Sequence, residues 1–392
     1  MRLRFVSSLL VALALIPVTA LASDDMDVSQ TSAGSAIATE DKGVLSVDAA
    51  RLRFLAAMNE TGEEVTVAFT GDTLTHLRVN AAARTPGGRY DFSQLFTDVR
   101  HVISQADLSI CHLEVPLSPT SRNLSAYPIF NGPREVADGL AYAGFDGCST
   151  ASNHSYDRGV DGVIGTLGVL DEAGLVHAGM APSALQADAP VLYRTGDLTL
   201  GHVSGTYWLN GFRMPEDKSW LVQLLDADEL IRSARTAKEA GADLVVVSMH
   251  CCTEYVDHPT PQQLELSHRL IKSPFVDLVV THHSHWVGPV EEVDGEFILH
   301  GLGNFLSGQT HTARTADGVI ALVKATQHSG EWRFTSVGAV PTYVERGTFR
   351  VRVAEPGSPS FERTMGTFNA MGETINDLPA EGLTAVQMSL IE

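Results

Sequence analysis

The chain has 392 residues, of which 44% are hydrophobic and 19% are charged, and this composition is typical of a globular protein with one large domain or two smaller ones. The formal net charge is −20. A charge of this sign argues against a nucleic-acid partner, which needs a basic surface, and against direct binding to anionic lipid headgroups.

The first residues have the pattern of a secretory signal peptide. Arg2 and Arg4 precede an apolar run over residues 5–16, and Ala20-Leu21-Ala22 is an A-x-A cleavage site. The apolar run is too short for a membrane span, and no later segment is long enough for a transmembrane helix. We therefore expect residues 1–22 to be removed and the mature protein to be secreted or periplasmic.

The rest of the chain divides by composition into three parts. Residues 23–43 are rich in small and polar side chains and are predicted to form a disordered linker. Residues 60–355 are predicted to form the folded domain, and residues 356–392 a polar C-terminal tail or a short helical appendage.

Four cysteines are too few for a disulfide scaffold in a domain of this size. An oxidising compartment permits one pair, for which Cys111 and Cys148 are the candidates. Cys251 and Cys252 are adjacent, and a ring between neighbours is strained, so we expect them to be small buried residues. Metal ligation by these two thiols is the less favoured alternative.

Predicted strands and helices alternate along most of the domain, which indicates an α/β layer fold. Residues 188–225 have the pattern of strands and a loop. A later hairpin is predicted to turn at Asp294-Gly295 and to have a strand ending at Gly303-Asn304. The predicted strands are 64–72, 106–118, 144–154, 175–180, 243–251, 277–285, the hairpin, 318–327 and 333–340. The predicted helices are 92–103, 135–144, 160–173, 228–241 and 261–272.

Chemically active side chains recur where predicted strands end. A single Asp there is most often a turn residue, and a single His is most often solvated. Open α/β sheets, however, place their sites at the carboxyl edge, and scattered surface residues would not all fall there. His283 and His285 are two apart, so in an extended chain they would point the same way. Beyond the strand end the chain can bend, and both imidazoles could then reach one metal or a close metal pair. The residues at strand ends are Asp72, Glu114, Asn153, His154, His250, His283 and His285.

This donor set predicts a metal site. Mixed oxygen and nitrogen ligands suit Zn²⁺, Mn²⁺ or Fe better than Ca²⁺, which prefers oxygen alone. The number of candidate groups exceeds what one tetrahedral ion needs, so we expect two divalent metals. Such a pair activates water for hydrolysis of a phosphoester or, less commonly, an amide.

Six short motifs in this order resemble the CapA family of poly-γ-glutamate capsule synthesis proteins, which are themselves similar to calcineurin-like metallophosphatases. The resemblance covers roughly residues 64–308. The motifs are Gly71-Asp72, His112-Leu113-Glu114, Ala151–His154, His250–Tyr255, Thr281–His285 and Gly301–Phe305.

The resemblance implies a four-layer α/β/β/α sandwich. It implies that two metals are held by Asp72, Glu114, Asn153, His250, His283 and His285. It places His154 near the leaving group as a general acid or electrostatic stabiliser. It also places Glu254 and Asn304 in family motifs, and we assign both to substrate binding.

The sequence departs from the family pattern at several positions. The family usually has Asn in place of His112 and Ser152, Trp-Gly in place of Cys251-Cys252, and Gly and Pro in place of Thr281 and Ser284. None of these changes removes a proposed ligand, and His112 could add one. The two cysteines put the shape of their loop in doubt.

Three functions remain open at this stage. The first is a metal-dependent hydrolase that acts on an exported anionic polymer of the poly-γ-glutamate type or on its phosphoester relatives. It would take part in synthesis, release or hydrolysis of the polymer, with the capsule synthesis machinery as a partner. The second is a non-enzymatic polymer-binding or assembly protein, and the third is a secreted metallophosphoesterase.

The net charge would repel polyglutamate, so local cations must reverse the sign of the field in the cleft. Arg158 is the preferred candidate because it follows Asn153 and His154 closely, although a solvated surface arginine is an equal alternative. The other candidates are Arg134, Arg213 and Arg314.

Overall fold

A computed structural model describes residues 63–371. The predicted signal peptide, the linker and the end of the C-terminal tail lie outside the described residues. Within residues 63–371, no helix combines the length and the apolar character that crossing a membrane requires.

The secondary structure follows the alternation that the sequence indicates. In chain order, the strands are β1 (Glu64–Thr73), β2 (Leu108–Leu113), β3 (Leu117–Ser118), β4 (Gly132–Pro133), β5 (Gly147–Ser149), β6 (Val176–Ala178), β7 (Val191–Thr195), β8 (Leu198–Thr206), β9 (Leu244–His250), β10 (Leu278–His282), β11 (Val290–Val293), β12 (Glu296–Leu299), β13 (Asn304–Leu306), β14 (Asp317–His328), β15 (Glu331–Val344) and β16 (Val351–Val353). The helices are α1 (Leu77–Ala82), α2 (Ser93–Phe96), α3 (Arg100–Ile103), α4 (Glu135–Ala143), α5 (Gly159–Glu172), α6 (Ala184–Ala187), α7 (Ala227–Glu239), α8 (Pro261–Ile271) and α9 (Pro359–Phe368), with 3₁₀ turns at Glu216–Leu221 and Arg314–Ala316.

Two mixed sheets form the centre of the domain. The first has the order β16-β15-β14-β1-β2-β5-β6, and β13 also pairs with β1. The second has the order β11-β12-β10-β9-β8-β7. The first sheet contains a parallel run of β1, β2, β5 and β6, and the second a parallel run of β8, β9, β10 and β12. Antiparallel strands flank these runs, namely β14, β15 and β16 in the first sheet and β7 and β11 in the second.

The hydrophobic cores define four layers. One core lies between the sheets, with alternate residues of β1 and β14 facing those of β9 and β10. A second core joins the outer face of the first sheet to α2, α4 and α5, and a third joins the outer face of the second sheet to α7 and α8. The predicted α/β/β/α sandwich is confirmed.

Local sequence signals account for the helices that cover the second sheet. Asp226 caps α7 by accepting hydrogen bonds from the backbone N–H groups of residues 228 and 229. Leu230, Ala234 and Ala237 then bury one face at helical spacing. Thr260 caps α8 in the same way, with Pro261 in the first turn.

The structure corrects two predicted elements. The helix predicted over residues 92–103 is two short helices, α2 and α3, because Val99 N–H donates to the carbonyl of Phe96, three residues back, and tightens the chain between them. The hairpin strand ends at Leu299, and Asn304 instead begins β13 beside β1.

The segment after residue 355 contains α9, which the sequence had left within a polar tail. Phe368 is fully buried and Met365 nearly so, and both pack in the core between the sheets. This helix is therefore part of the folded domain.

Both cysteine pairs are bonded in the structure. Cys111 and Cys148 are register partners on β2 and β5, with 4.4 Å between their Cα atoms. Cys251 is also paired with Cys252, whereas the sequence favoured two small buried thiols.

Gly71 allows β1 to approach the segment that leads into β13. A Cβ atom at this position would lie 2.1 Å from the carbonyl oxygen of Gly303. That carbonyl accepts a hydrogen bond from Asp72 N–H at 2.9 Å. The glycine therefore fixes the backbone at the point where Asp72 enters the site.

Candidate metal centre

Two carboxylates form the base of the site. Asp72 lies near the end of β1, and Glu114 follows the last residue of the adjacent parallel strand β2. Each is 1% exposed, and none of their four oxygen atoms has a hydrogen-bond partner. Buried carboxylates without partners are costly, so this base needs a cation.

His285 lies against both carboxylates. Its Nδ1 is 3.0 Å from Asp72 Oδ2 and 4.0 Å from Glu114 Oε2. The shorter contact has the distance of an ion pair without hydrogen-bond alignment. Asn304 Oδ1 lies 3.1 Å from the same nitrogen and holds the ring in place.

The electrostatics of this group agree with the need for a cation. Burial raises the pKa of Glu114 well above its usual value. Burial also acts to raise the pKa of Asp72, but His282 and His285 outweigh it and hold that pKa well below the usual value. For His285, burial is outweighed by Glu114 and Asp72, so its pKa is raised well above normal.

A second cluster continues from the carboxylates along a chain of hydrogen bonds. Ser149 Oγ lies 2.8 Å from His112 Nδ1, and His112 Nε2 lies 2.9 Å from His250 Nδ1. His250 Nε2 then lies 2.8 Å from Asn153 Oδ1. Burial lowers the pKa of both histidines well below the usual value, so they are neutral at pH 7 and offer lone pairs.

Two groups of side chains have the geometry to hold a metal. The ligand atoms of each group lie within 4.8 Å of one another, and Asp72 belongs to both. The groups are Asp72, His112 and His282, and Asp72, Glu114 and His285. The unpartnered carboxylate oxygens, together with imidazole nitrogens, fit a divalent transition metal.

His283 lies beside these groups, because the backbone reverses after β10. Strand β10 ends at His282, and His283 and His285 have φ angles of 90° and 55°. The chain is therefore not extended here, and it bends beyond the strand end, as the sequence allowed. His283 Nδ1 is buried without a partner, while Nε2 lies 3.0 Å from the Tyr207 hydroxyl. Its ring is 4.7 Å from that of His250.

His154 lies next to the ligand cluster and is oriented by a carboxylate. Its Nδ1 is 2.7 Å from Asp157 Oδ2, which also accepts the Phe130 backbone N–H at 2.7 Å. Because the Asp157 carboxylate can only accept a hydrogen bond, His154 Nδ1 carries the proton that it donates. The other ring nitrogen, Nε2, is then available for proton transfer. The ring of Phe130 packs edge-on against His154 at 4.7 Å.

Asn210 lies between Asn153 and His154. Its Oδ1 accepts a hydrogen bond from Asn153 Nδ2 at 3.1 Å. Its amide nitrogen lies 3.1 Å from His154 Nδ1, but this contact is not a hydrogen bond, because the Nδ1 proton is donated to Asp157. The hydrogen bond to Asn210 fixes the amide of Asn153 so that its oxygen faces His250. Asn210 comes from the 188–225 segment, whose role the sequence did not indicate.

The three residues assigned to substrate binding lie in different surroundings. Glu254 is 42% exposed, with Oε1 3.6 Å from His285 Nε2, and this contact lowers its pKa. Asn304 is fully buried and supports His285 from behind, so it does not face a substrate. Arg158 is exposed at the start of α5.

The sequence missed several residues of the site. Asp157, His282, Tyr207 and Asn210 are added by the structure, and His112 was only an optional ligand. Asp157 had a usable signal, since it lies three residues after His154 and can face it across a turn. Asn210 and Tyr207 had none, since only the packing of the two sheets brings them to the site.

The fold and site define a layered α/β protein with a buried group of side chains, at the carboxyl ends of its strands, that could hold a metal. The family model described as "Bacterial capsule synthesis protein PGA_cap" matches residues 66–309, and the chain belongs to this family.

Individual relatives are more distant. The chain is 32% identical over 178 residues to "PGA biosynthesis protein CapA" of Bacillus subtilis (strain 168), covering 44% of this chain and 45% of that protein. It is 24% identical over 272 residues to "Capsule biosynthesis protein CapA" of Bacillus anthracis, covering 66% and 63%. The chain thus spans about half the length of the curated relatives it matches.

Among solved structures, the calcineurin-like phosphoesterase YfkN from Bacillus subtilis is similar with a TM-score of 0.46 and 12% identity. The match covers 77% of this chain and 96% of that one.

Proposed function

We propose that this protein is an exported, metal-dependent hydrolase that cleaves amide bonds of poly-γ-glutamate during synthesis or release of a bacterial capsule. Two facts support the substrate class: the chain belongs to the capsule synthesis family, and two relatives carry capsule or PGA biosynthesis in their names. The observation that carries the chemistry is the pair of buried, unpartnered carboxylates, Asp72 and Glu114.

The residues divide between two divalent ions. Asp72, Glu114 and His285 would hold the first. Asn153, His250 and His283 would hold the second, since the Asn153 oxygen meets His250 at 2.8 Å and the two imidazoles are neighbours. Divalent metals in such a site lower the pKa of bound water and stabilise negative charge on the reacting oxygen.

His154 and Asp157 would provide the proton transfer to the leaving group. His154 has its Nδ1–H bound by Asp157, so Nε2 is the atom that can deliver a proton to the departing amine. Asp157 is itself fixed by the backbone N–H of Phe130. His154 acts as the general acid in this proposal, and Asp157 is a positioning residue.

Metal content and turnover test this proposal together. We expect the exported full chain to hold about two transition metals by elemental analysis, and to generate new amine ends from poly-γ-glutamate. Glu114→Gln should lose metal and turnover, because it removes the charge at the base of the site. Glu172→Gln on the exposed face of α5 is the matched control and should keep both.

His154→Ala separates chemistry from metal binding. We expect full metal content and a kcat lower by about 10²- to 10⁴-fold, because the variant removes only the proton donor. His177→Ala, on the edge strand β6, is its control. Metal without turnover in the wild type, with retention of the polymer, would contradict the hydrolase and favour a binding role.

A further inference from the structure

A row of three side chains leads away from His285 along one side of the metal centre. The ring of Tyr255 lies 5.7 Å from that of His285, and the Trp286 ring lies 6.3 Å from that of Tyr255. The guanidinium of Arg314 then lies over Trp286, with 5.3 Å between Cζ and the ring centroid. We name Tyr255, Trp286 and Arg314 the aromatic shelf.

A second route fixes the shelf to the same histidine. Asn304, which supports His285, donates its Nδ2 to the carbonyl of Thr315 at 2.9 Å. Thr315 is the residue after Arg314. The segment that carries Arg314 is therefore held directly behind the metal centre, and its position does not depend on ring contacts alone.

The charge on the shelf is available to a ligand. The Arg314 side chain is 35% exposed and pairs with Asp257, itself 36% exposed, at 3.0 Å. The guanidinium lies over the Trp286 ring and meets Asp257 through one of its terminal nitrogens, and its fork of donors suits a planar carboxylate. An ion pair this exposed is weak, so an incoming carboxylate can displace Asp257.

We propose that Arg314, on the aromatic shelf, binds the carboxylate of the repeat unit next to the bond that lies at the metal centre. This inference rests on the proposed function. Every repeat of poly-γ-glutamate carries one free carboxylate, so a carboxylate flanks whichever amide is at the site. Arg314 thus replaces Arg158 as the cation that offsets the net charge of −20 within the cleft.

Binding of purified poly-γ-glutamate to the Mn²⁺-loaded full chain tests the subsite, with dextran as a neutral polymer. We expect Arg314→Gln to weaken binding about five- to tenfold with unchanged metal content, as for a partly exposed charge pair. The polymer affinity of Arg314→Lys should lie between that of the wild type and that of Arg314→Gln, because lysine keeps the charge but lacks the fork of donors. Arg232→Gln, which removes one positive charge on α7, is the control and should bind as the wild type does.

Asp257→Asn should change polymer binding in the direction opposite to that of Arg314→Gln. It removes the carboxylate that competes for Arg314, so polymer binding should strengthen. If Asp257→Asn weakens binding as Arg314→Gln does, the ion pair is merely structural and the proposal is overturned.

The remaining outcomes distinguish the two proposals. Suppose that wild type and Arg314→Gln bind the polymer equally and Arg158→Gln binds it more weakly. That result would overturn the assignment of Arg314 and restore Arg158 as the cation of the cleft, and it would leave the proposed function intact. A wild type that holds metal but binds poly-γ-glutamate no better than dextran would overturn the proposed function and the subsite together.

Discussion

The role of His112 depends on whether its Nε2 atom accepts a hydrogen bond or binds a metal. Its Nε2 faces His250 Nδ1 at 2.9 Å, and its distance to Asp72 Oδ1 is 4.0 Å. If His250 binds a metal through Nε2, its Nδ1 carries the proton and must donate to His112. His112 Nε2 is then an acceptor and not a ligand. The Asn usual in the CapA family can accept through its side-chain oxygen in the same way.

This argument predicts different results for two substitutions of His112. His112→Ala should weaken metal binding by about 10- to 100-fold, because His250 loses the acceptor that orients it. His112→Asn should retain most of the affinity. Titration with Zn²⁺ against a competing chelator measures both variants. If both variants lose the same amount of metal affinity, His112 is itself a ligand. That role is geometrically possible, because His112 belongs to one of the two groups that could hold a metal.

At the scale of the element, the strand ends decide which side chains meet. Register places Asp72 beside His112 on β1 and β2, and His250 beside His282 on β9 and β10. Strand ends are readable from sequence, and they placed Asp72 and His250 at the carboxyl edge. The reversal after His282 was not readable, because a positive φ at a histidine depends on the contacts that hold it.

Strand β12 carries a carboxyl group whose titration affects stability. Burial, with Asp277 nearby, raises the pKa of Glu296 to about 7. Between its ordinary pKa of about 4.5 and 7, the folded state binds more protons at this group than the unfolded state does. Glu296 therefore costs stability progressively as pH rises through this window, and the full cost is present above pH 7.

Removing this charge should stabilise the protein only at the higher pH. We expect Glu296→Gln to raise the free energy of unfolding by about 1 kcal/mol at pH 8, since solvent screens a half-buried group, and by little at pH 5. Urea unfolding at both pH values measures the difference. Glu292→Gln, an exposed position on the neighbouring β11, is the control, and a gain of equal size at pH 5 would exclude the titration of Glu296 as its cause.

At the scale of the whole molecule, the net charge opposes the anionic polymer of the proposed function, while the proposed metal ions and Arg314 would attract it. The repulsion from the net charge acts over a long range, and the contacts at the site act over a short one. Salt distinguishes them, since the screening length is about 30 Å at 0.01 M salt and about 8 Å at 0.15 M. Moderate salt should therefore screen the repulsion from a chain of charge −20 more than the contacts at the site.

The association rate of poly-γ-glutamate is thus expected to rise between 0.01 and 0.15 M NaCl and to fall at higher salt. Stopped-flow measurement with fluorescently labelled polymer follows the rate, and dextran should show no dependence. A rate that only falls with salt would mean that an extended basic surface dominates the encounter.

The sequence by itself determined the order of strands and helices, the layered α/β class and the family, because these depend on local periodicity and on short motifs that retain their order. It also placed the oxygen and nitrogen donors at strand ends. It did not determine how β1, β2 and β5 of one sheet meet β9 and β10 of the other, and so it could not bring Asn210 or Tyr207 to the site. These two residues lie in a connecting segment without periodicity, and only the packing of the two sheets, through the core between them, decides which of its side chains reach the candidate site.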